Sequence, residues 1–480
     1  PGFGPPARYP EEIIHELPPQ QDLVYYNELT HWRYAKNGYV QVGARPDRNG
    51  DTPPHWGDFV YRRYADATLT MWPRYYHWFF NQVMRYSIGD VTHSSGTQDH
   101  FNQWMWQRLL WAPETSVEDA VAEYARTWFG PEAAPQMAEA IFQLEDNLAE
   151  KPGVPITKKT GIDRYYRLVQ QAGAKMPPFL MKRNWLWREY MEKAALDKHI
   201  QLSVRQQTAL RERIEKAAAG PTVSNGAIDL ALSWFSGPHE TPEMQKLRNE
   251  AGRLGDESNR LFGARSEGYY NLDHDFIGLG WLKRQLQRAR AASGAERADL
   301  LHTIVNYTDP GPGGFYDNGG SFSQSPDIVH GYPYDFGQPL VEGMLSEGNR
   351  PTQRTMVYTQ DEDEGVVFQY RGLDKKASYR IRFTLVRPWY QDRYRGRMNQ
   401  KSETIDAGGL VLAKNLAIPE RMSDFFTFEN PPAAIRNGEL VIRFERAANV
   451  AHGSRVERET WRNSGGCGTI VSEAWLMKRR

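Results

Sequence analysis

The chain has 480 residues, which is enough for roughly two to four domains with hydrophobic cores of their own. Its 59 basic and 59 acidic residues leave no net charge, so the charge balance disfavours a nucleic acid or an anionic membrane surface as a partner. The single cysteine, Cys467, excludes an internal disulfide framework and a cysteine-rich zinc site, and its glycine-rich setting disfavours a catalytic thiol.

The sequence has neither a membrane-spanning run nor a recognisable signal peptide. No apolar stretch approaches the roughly 20 residues that are needed to cross a bilayer. The chain opens at Pro1 without an initiator Met, and we expect it to be a mature or cleaved product whose targeting segment has been removed.

Residues 1–112 alternate between strand-like and helical patterns. Asp22–Tyr26, Tyr39–Val42 and Ile88–Thr92 are the predicted strands. Three or four strands are too few to close an eight-stranded barrel. The sequence therefore predicts a partial (β/α)8 barrel, or its C-terminal half. Because open strand edges invite pairing, we expect a missing N-terminal half, a second chain or a second copy of this protein to cover it.

Polar and aromatic residues are densest between His93 and Trp106. Asp99 and Asn102 fall on one side of the first turn of a predicted helix, directly after a predicted strand. A (β/α)-barrel enzyme presents polar groups to its ligand at this kind of position. The alternative is that Asp99 only caps the helix, in competition with the nearby Ser and Thr residues.

The same predicted helix carries several tryptophans. Trp104 and Trp106 are two positions apart and therefore point about 200° away from each other on a helix. We expect Trp106 to pack in the core and Trp104 to lie near the site. Flat, amphipathic rings suit the faces of sugars, although they also fill cores.

Residues 113–306 have a helical pattern. A predicted capping box at Thr115 starts one helix, which Gly130 ends. The segment Lys182–Ala219 contains neither Gly nor Pro, and we predict one helix of roughly 57 Å there. Its aromatic residues are expected in the core; they are Trp185, Trp187 and Tyr190.

Residues 307–350 are predicted to be a linker rich in Gly and Pro. The segment Thr308–Gly320 lacks the Gly-Lys-Ser/Thr ending of a phosphate-binding loop, which disfavours nucleotide binding. A long loop of this kind is often functional.

From residue 351 the period of the sequence changes to two. Tyr379, Ile381 and Phe383 alternate with polar residues, and turns such as Asn437–Gly438 separate the runs. Residues 351–480 are therefore predicted to form a β-sandwich, so that the fold class is a multidomain α/β plus all-β protein.

Three segments follow one another in a recognisable order: His93–Asn102, Trp111–Pro113 and Tyr124–Gly130. They resemble a group of bacterial proteins related to barrel glycoside hydrolases of the α-glucuronidase and hexosaminidase type. In that group a strand ends in a motif like Tyr-Ser-Glu-Gly-x-x-Asp-Asp-x-Asn, before an aromatic-rich helix. Gly438–Phe444 and Val471–Lys478 resemble the last strands of the galactose-binding-like jelly roll that is often appended to such enzymes.

The resemblance implies a glycoside hydrolase that acts on a polysaccharide or a uronic-acid-containing glycan, in the periplasm or outside the cell. The Glu of the group's motif is Ser95 in this chain. The alternative is therefore a non-catalytic glycan-binding or scaffold protein, as one subunit of a larger assembly.

Glycoside hydrolysis needs two carboxylates about 5 to 9.5 Å apart. Asn27–Glu28 follows the first predicted strand and resembles the acid/base position of many barrel glycosidases. Glu28 and Asp99 are therefore the predicted catalytic pair, and the alternative for Glu28 is a merely solvated side chain. We expect substrate-binding residues on the same rim: His31, Trp32, Arg74, His77, Asn102 and Trp104. Of these, Arg74 and His77 suit a uronate or hydroxyl groups.

Two acidic segments have the chemistry of ion ligands. They are Asp273–Asp275 and Asp361–Gly365, and the second lacks the later bidentate Glu of a helix-flanked calcium loop. Acidic turns are usually only solvated. We predict no cofactor, with a structural calcium ion as the alternative.

Overall fold

The computed structural model describes residues 17–28, 69, 71–93, 100–148, 156–220, 222–237, 240–263, 272, 278–318, 327–335, 355–358, 365–385, 402–417, 425–430, 432–446 and 470–479. The chain divides into two compact units, residues 1–206 with 238–273 and residues 207–237 with 274–480. The architecture is multidomain, with a helical region and C-terminal antiparallel sheets. The domain boundaries predicted above at residues 112, 306 and 350 stay predictions.

The helices among the described residues are α1 Pro73–Val83, α2 His100–Trp111, α3 Val117–Phe129, α4 Ala134–Leu148, α5 Gly161–Lys175, α6 Pro178–Arg183, α7 Trp185–Ala218, α8 Asn225–Ser233, α9 Pro242–Phe262, α10 Leu279–Ala291 and α11 Gly294–Val305. None of these helices combines the length and the apolar character that crossing a membrane requires.

In the first unit, β1 (Val24–Glu28) and β2 (Gly89–His93) form a parallel pair, in which Glu28 lies opposite His93. Parallel neighbours need a crossover connection, and α1 lies within it. The ring of Tyr25 on β1 packs edge-on against Phe79 on α1, with 6.1 Å between the ring centroids. The described residues show this β–α–β unit, and the predicted barrel stays a prediction.

These two strands confirm the strands predicted near residues 22–26 and 88–92, each displaced by one or two residues toward the C-terminus. The strand predicted at Tyr39–Val42 lies outside the described residues.

Helix α3 begins at a cap that differs from the predicted one. Ser116 is the capping residue, since its Oγ accepts a hydrogen bond from the amide of Asp119 at 3.1 Å. The prediction that Thr115 caps this helix was wrong, because the hydroxyl of Thr115 donates to the carbonyl of Ala112 at 2.8 Å. The helix ends before Gly130, whose φ of 85° favours glycine.

Helix α7 confirms the long helix predicted over residues 182–219, except at its start. Lys182 and Arg183 close α6, because Asn184 has an extended backbone with φ −86° and ψ 102°. The Oδ1 of Asn184 then accepts a hydrogen bond from the amide of Trp187 at 2.7 Å, in the first turn of α7. A local side-chain cap therefore divides a segment that has no Gly or Pro.

In the second unit, α8, α10 and α11 share an apolar core with the end of α7. Trp281 and Tyr307 pack edge-on with 5.0 Å between their ring centroids. Trp475 meets Tyr307 at 5.5 Å and donates its Nε1 hydrogen to the Tyr307 carbonyl at 2.8 Å. Because Trp475 lies on a C-terminal strand, this contact attaches the sheets of the unit to its helices.

The remaining described strands belong to the second unit: β3 Phe315–Asn318, β4 Ile328–His330, β5 Tyr332–Asp335, β6 Thr355–Tyr358, β7 Val366–Tyr370, β8 Tyr379–Thr384, β9 Ser402–Ala407, β10 Leu410–Ala417, β11 Phe426–Asn430, β12 Leu440–Arg446, β13 Ile470–Val471 and β14 Glu473–Lys478. They form a sheet in the order β10-β9-β12-β7-β4, a sheet in the order β11-β8-β14-β3, and a smaller sheet in the order β13-β6-β5. The strand pairs in all three sheets are antiparallel.

The two larger sheets share one hydrophobic core and therefore form a β-sandwich. Along β8 the buried residues are Tyr379, Ile381 and Phe383, as the alternation in the sequence predicts. The turn Asn437–Gly438 has φ values of 54° and 78°, which suits the right-handed twist of the flanking chain.

The sandwich takes two of its strands from the segment that was predicted to be a linker. Strand β3 pairs with β14, and β4 pairs with β7. Strand β3 was not predicted, because the segment around it is rich in glycine. It is a short strand that begins two residues after Gly313, which has a positive φ, as Gly311 does.

A buried carboxyl group lies inside the sandwich. Asp317 on β3 is fully buried, and its Oδ2 accepts a hydrogen bond from the hydroxyl of Tyr370 at 2.9 Å. Burial, together with the nearby carboxylate of Asp327, raises the pKa of Asp317 from 3.8 to about 7. The second unit thus contains a carboxyl group that changes its charge near neutral pH.

We expect this group to make the second unit less stable as the pH rises. The folded pKa of Asp317 exceeds the unfolded one, so its contribution is complete below pH 3.8 and is lost as the pH rises through about 7. The free energy of unfolding falls by at most about 4 kcal/mol, since each pH unit between the two pKa values is worth about 1.4 kcal/mol. Urea unfolding between pH 4 and pH 8 measures this fall, with Asp317→Asn as the comparison. The difference in unfolding free energy between the two proteins should grow in favour of the variant as the pH rises; a constant difference would contradict the assignment.

Candidate functional site

The first unit brings together the elements that carry most of the predicted site residues. Strands β1 and β2 end side by side at Glu28 and His93, and α2 begins seven residues after β2 ends. The carboxyl ends of parallel strands are where α/β enzymes place their active groups. For Glu28 the structure describes the backbone. Its predicted partner Asp99, and also His31 and Trp32, lie outside the described residues.

Side chains from two other helices satisfy the amide groups at the start of α1. The amide of Trp72 donates to Oδ1 of Asn102 at 3.1 Å. The amides of Arg74 and Tyr75 both donate to Oε1 of Glu145, at 3.0 and 3.1 Å. The first residue of the helix is proline, which has no N–H, so every amide of the first turn that a helix leaves unpaired has a partner.

The side chain of Arg74 is held at the same place. Its Nη1 donates to Oε2 of Glu145 at 3.1 Å and to Oδ1 of Asp146 at 2.9 Å. Its guanidinium lies 4.6 Å from the centroid of the Phe142 ring, which is a cation–π distance. Arg74 and the fully buried Asn102 therefore position the start of α1. Their predicted role in substrate binding stays a prediction, as does that of His77, which lies half-buried on α1.

Glu145 is an acidic group in an apolar setting. Burial raises its pKa from 4.5 to about 8, while the hydrogen bond from the Tyr75 amide and the charge of Arg74 oppose the rise. The carboxyl group is fully buried, so the donors around it replace the water that it would otherwise bind.

One face of α2 packs in the core. Trp106 is fully buried against Phe80 and Phe79, with ring centroids 5.1 and 6.0 Å apart. Its Nε1 donates to Oδ2 of Asp90 on β2 at 2.7 Å, which ties the strand to the helix. The prediction that Trp106 packs in the core is confirmed.

The other face of α2 contributes to a group of aromatic rings, which we name the His100 cluster: His100, Trp104, Tyr124, Trp128 and Trp185. The His100 ring meets Trp128 edge-on at 4.7 Å and Trp185 edge-on at 5.5 Å. Trp104 packs against Tyr124 at 5.3 Å. Tyr124 is fully buried at the base of the cluster, whereas the other four side chains are half-buried.

Asn184 brings two of these rings together from different helices. Its Nδ2 donates to the carbonyl of Trp128 at 2.5 Å near the end of α3, while its Oδ1 caps α7 at Trp187. The carbonyl of Asn184 in turn accepts a hydrogen bond from Nη1 of Arg188 at 2.9 Å. The position of Trp185 beside His100 thus follows from the cap that starts α7.

Only part of this cluster was predicted from the sequence. Trp104 was predicted to lie near the site; its side chain is half-buried in the cluster, and its role in substrate binding stays a prediction. Trp185 was expected in the core, but it is half-buried here, and His100 was not selected. The available signal was spacing: His100 with Trp104, and Tyr124 with Trp128, are each four residues apart on a helix.

The described residues contain no group of three or more His, Cys, Asp or Glu side chains that is placed to hold a metal ion. The two predicted ion-binding segments, Asp273–Asp275 and the acidic part of Asp361–Gly365, lie outside the described residues.

Comparison with known proteins adds one relation, and it covers this site. Residues 68–141 match a family model described as "Domain of unknown function (DUF4838)". The matched part includes α1, β2, α2 and α3, and hence most of the His100 cluster. No curated protein matches the chain, and no solved structure matches it.

We expect Glu145→Ala to destabilise the first unit by at least about 2 kcal/mol, because two buried amides lose their acceptor and each unpaired donor costs about 1–3 kcal/mol. Glu145→Gln should recover part of the loss, since its Oε1 still accepts both amides. Asp146→Ala is the control. It removes the exposed partner of Arg74 and should cost no more than about 1 kcal/mol. Urea unfolding measures all three, and equal losses in the two Ala variants would contradict the capping role of Glu145.

The two tryptophans of α2 should behave differently. We expect Trp106→Ala to cost about 3–5 kcal/mol of unfolding free energy, the usual range for emptying a buried aromatic site. Trp104→Ala should cost clearly less, because the ring is half-buried. Thermal or urea unfolding of both variants tests this, and similar losses would mean that both faces of α2 are structural.

Proposed function

We propose that this chain is a carbohydrate-active enzyme, a glycoside hydrolase with Glu28 and Asp99 as its catalytic carboxylates. The observation that carries the proposal is the His100 cluster at the start of α2, directly after the position of Asp99. Half-exposed aromatic rings bind the C–H faces of sugars, and three tryptophans and a histidine lie together there.

The parallel strand pair supports the proposed positions of the two carboxylates. Glu28 ends β1, and Asp99 lies between the end of β2 and the start of α2. We infer that β1, α1 and β2 belong to a (β/α) barrel. In this arrangement Glu28 acts as general acid/base, and Asp99 acts as nucleophile or as the base that activates water.

The sandwich of the second unit fits a jelly roll of the galactose-binding-like type, which we propose as an accessory module. The substrate would be a polysaccharide or another glycan in the periplasm or outside the cell.

A non-catalytic glycan-binding protein is the second candidate, and Ser95 favours it. Ser95 stands where the glycoside hydrolases that the sequence resembles have a Glu. Arg74 and Asn102 are also occupied by contacts that position α1. On this alternative the His100 cluster binds sugar without turnover.

Hydrolysis of a glycan panel separates the two functions. The wild type should release reducing ends from at least one glycan, and Glu28→Gln and Asp99→Asn should each lower that rate at least about 100-fold, as loss of a general acid or base does. Glu139→Gln, which changes an exposed carboxylate of α4, is the matched control and should keep the rate. Full activity in both site variants would remove Glu28 and Asp99 from the mechanism. Sugar binding by calorimetry without turnover would favour the second candidate.

A further inference from the structure

The ring of His100 is oriented by a chain of two buried tyrosines. Its Nδ1 lies 3.0 Å from the hydroxyl oxygen of Tyr124. The hydroxyl of Tyr190 on α7 donates in turn to the hydroxyl oxygen of Tyr124 at 3.5 Å. Both tyrosines are fully buried, so neither hydroxyl exchanges its partner for solvent.

The direction of this chain favours one tautomer of the imidazole. Burial raises the pKa of both tyrosines far above their usual range, so both hydroxyls keep their protons. Because Tyr124 accepts from Tyr190, its own proton is directed to Nδ1 of His100. Burial also lowers the pKa of His100, which keeps the ring neutral. A neutral ring that accepts at Nδ1 carries its proton on Nε2.

We propose that His100 contacts the ligand of this site and donates its Nε2 hydrogen to a hydroxyl oxygen of a neutral sugar beside Trp104, Trp128 and Trp185. This proposal rests on the proposed glycan-binding function and specifies the sugar group that the site recognises. Among the described residues, the hydrogen bond at Nδ1 is the only one that the ring makes. Ring surfaces with one well-placed polar group are the common composition of a small-molecule site.

The charge that acts on Tyr124 is the carboxylate of Glu189, which favours a neutral hydroxyl over a second carboxylate as the ligand group. A uronate is recognised best by a guanidinium in bidentate geometry. Arg74, the arginine that the sequence predicted for this role, already contacts Glu145 and Asp146. The neutral imidazole supplies a donor without a positive charge. Tyr124 is then a positioning residue, which acts on the ligand through His100.

Nitrogen NMR of the protein labelled at its histidines tests the proton position. His100→Gln assigns the signal by its loss. We expect the wild-type His100 ring to be the tautomer with its proton on Nε2, and we expect Tyr124→Phe to shift the ring toward a mixture of tautomers. A wild-type ring with its proton on Nδ1, or an unchanged ring in Tyr124→Phe, would overturn the proposal.

Titration with oligosaccharides tests the contact. The probes are cellohexaose, mannohexaose and xylohexaose, with oligogalacturonate as the charged comparison. At least one neutral probe should shift the Nε2 signal, and oligogalacturonate should leave it unchanged. His100→Gln should weaken binding of that neutral probe about 3- to 10-fold, as expected for the loss of one hydrogen bond. His302→Gln, which changes an exposed histidine of the second unit, is the matched control.

The outcomes separate this proposal from the proposed function. Binding that shifts the His100 signal without any hydrolysis would reject the hydrolase and keep the contact. Hydrolysis that leaves the His100 signal unmoved, or a His100→Gln variant that binds as tightly as the wild type, would reject the contact alone. Failure of every neutral probe to shift the signal would also reject it.

Discussion

The buried carboxyl group of Glu145 at the start of α1 is the contact on which the arrangement of the first unit depends. A helix start leaves amides without partners, and here that start is buried, so water cannot satisfy them. Glu145 reaches them from α4, and Asn102 reaches them from α2. Three helices are therefore joined through backbone groups that allow little freedom of position.

The electrostatics of this contact explain why an acidic group is tolerated in a buried position. Burial acts against ionisation, but two amides, the positive end of a helix and the Arg74 guanidinium all favour the charge. Burial and the nearby carboxylate of Asp327 raise the pKa of Asp317 in the sandwich, while hydrogen bonds from the Tyr370 hydroxyl and from the Asp327 backbone oppose the rise. Both buried carboxyl groups therefore change their charge near neutral pH, with pKa values of about 8 for Glu145 and about 7 for Asp317.

The sequence predicted features that follow from periodicity better than features that follow from contacts between distant segments. Alternation found the strands of the sandwich, and the lack of Gly and Pro found most of α7. Asn184 was missed as a cap because nothing in its local sequence breaks the helical pattern. Strand β3 was missed because its four residues sit in a glycine-rich segment and need β14 to pair with. The acceptor that Arg74 finds on α4 is 71 residues away, a distance at which a single sequence carries no signal.

Contacts between distant segments also explain why some predicted site residues have structural roles. Polar residues at the start of a helix were taken as ligands in the sequence, yet a buried helix start needs polar partners for its own backbone, and Asn102 serves that need. The side chains that remain partly exposed lie on the opposite face of α2, where the backbone groups are already paired within the helix. There His100 and Trp104 are held by rings from α3 and α7 and remain half-exposed. The two faces of α2 thus differ: one holds β2 through the contact of Trp106 with Asp90, and the other leaves the rings of His100 and Trp104 half-exposed.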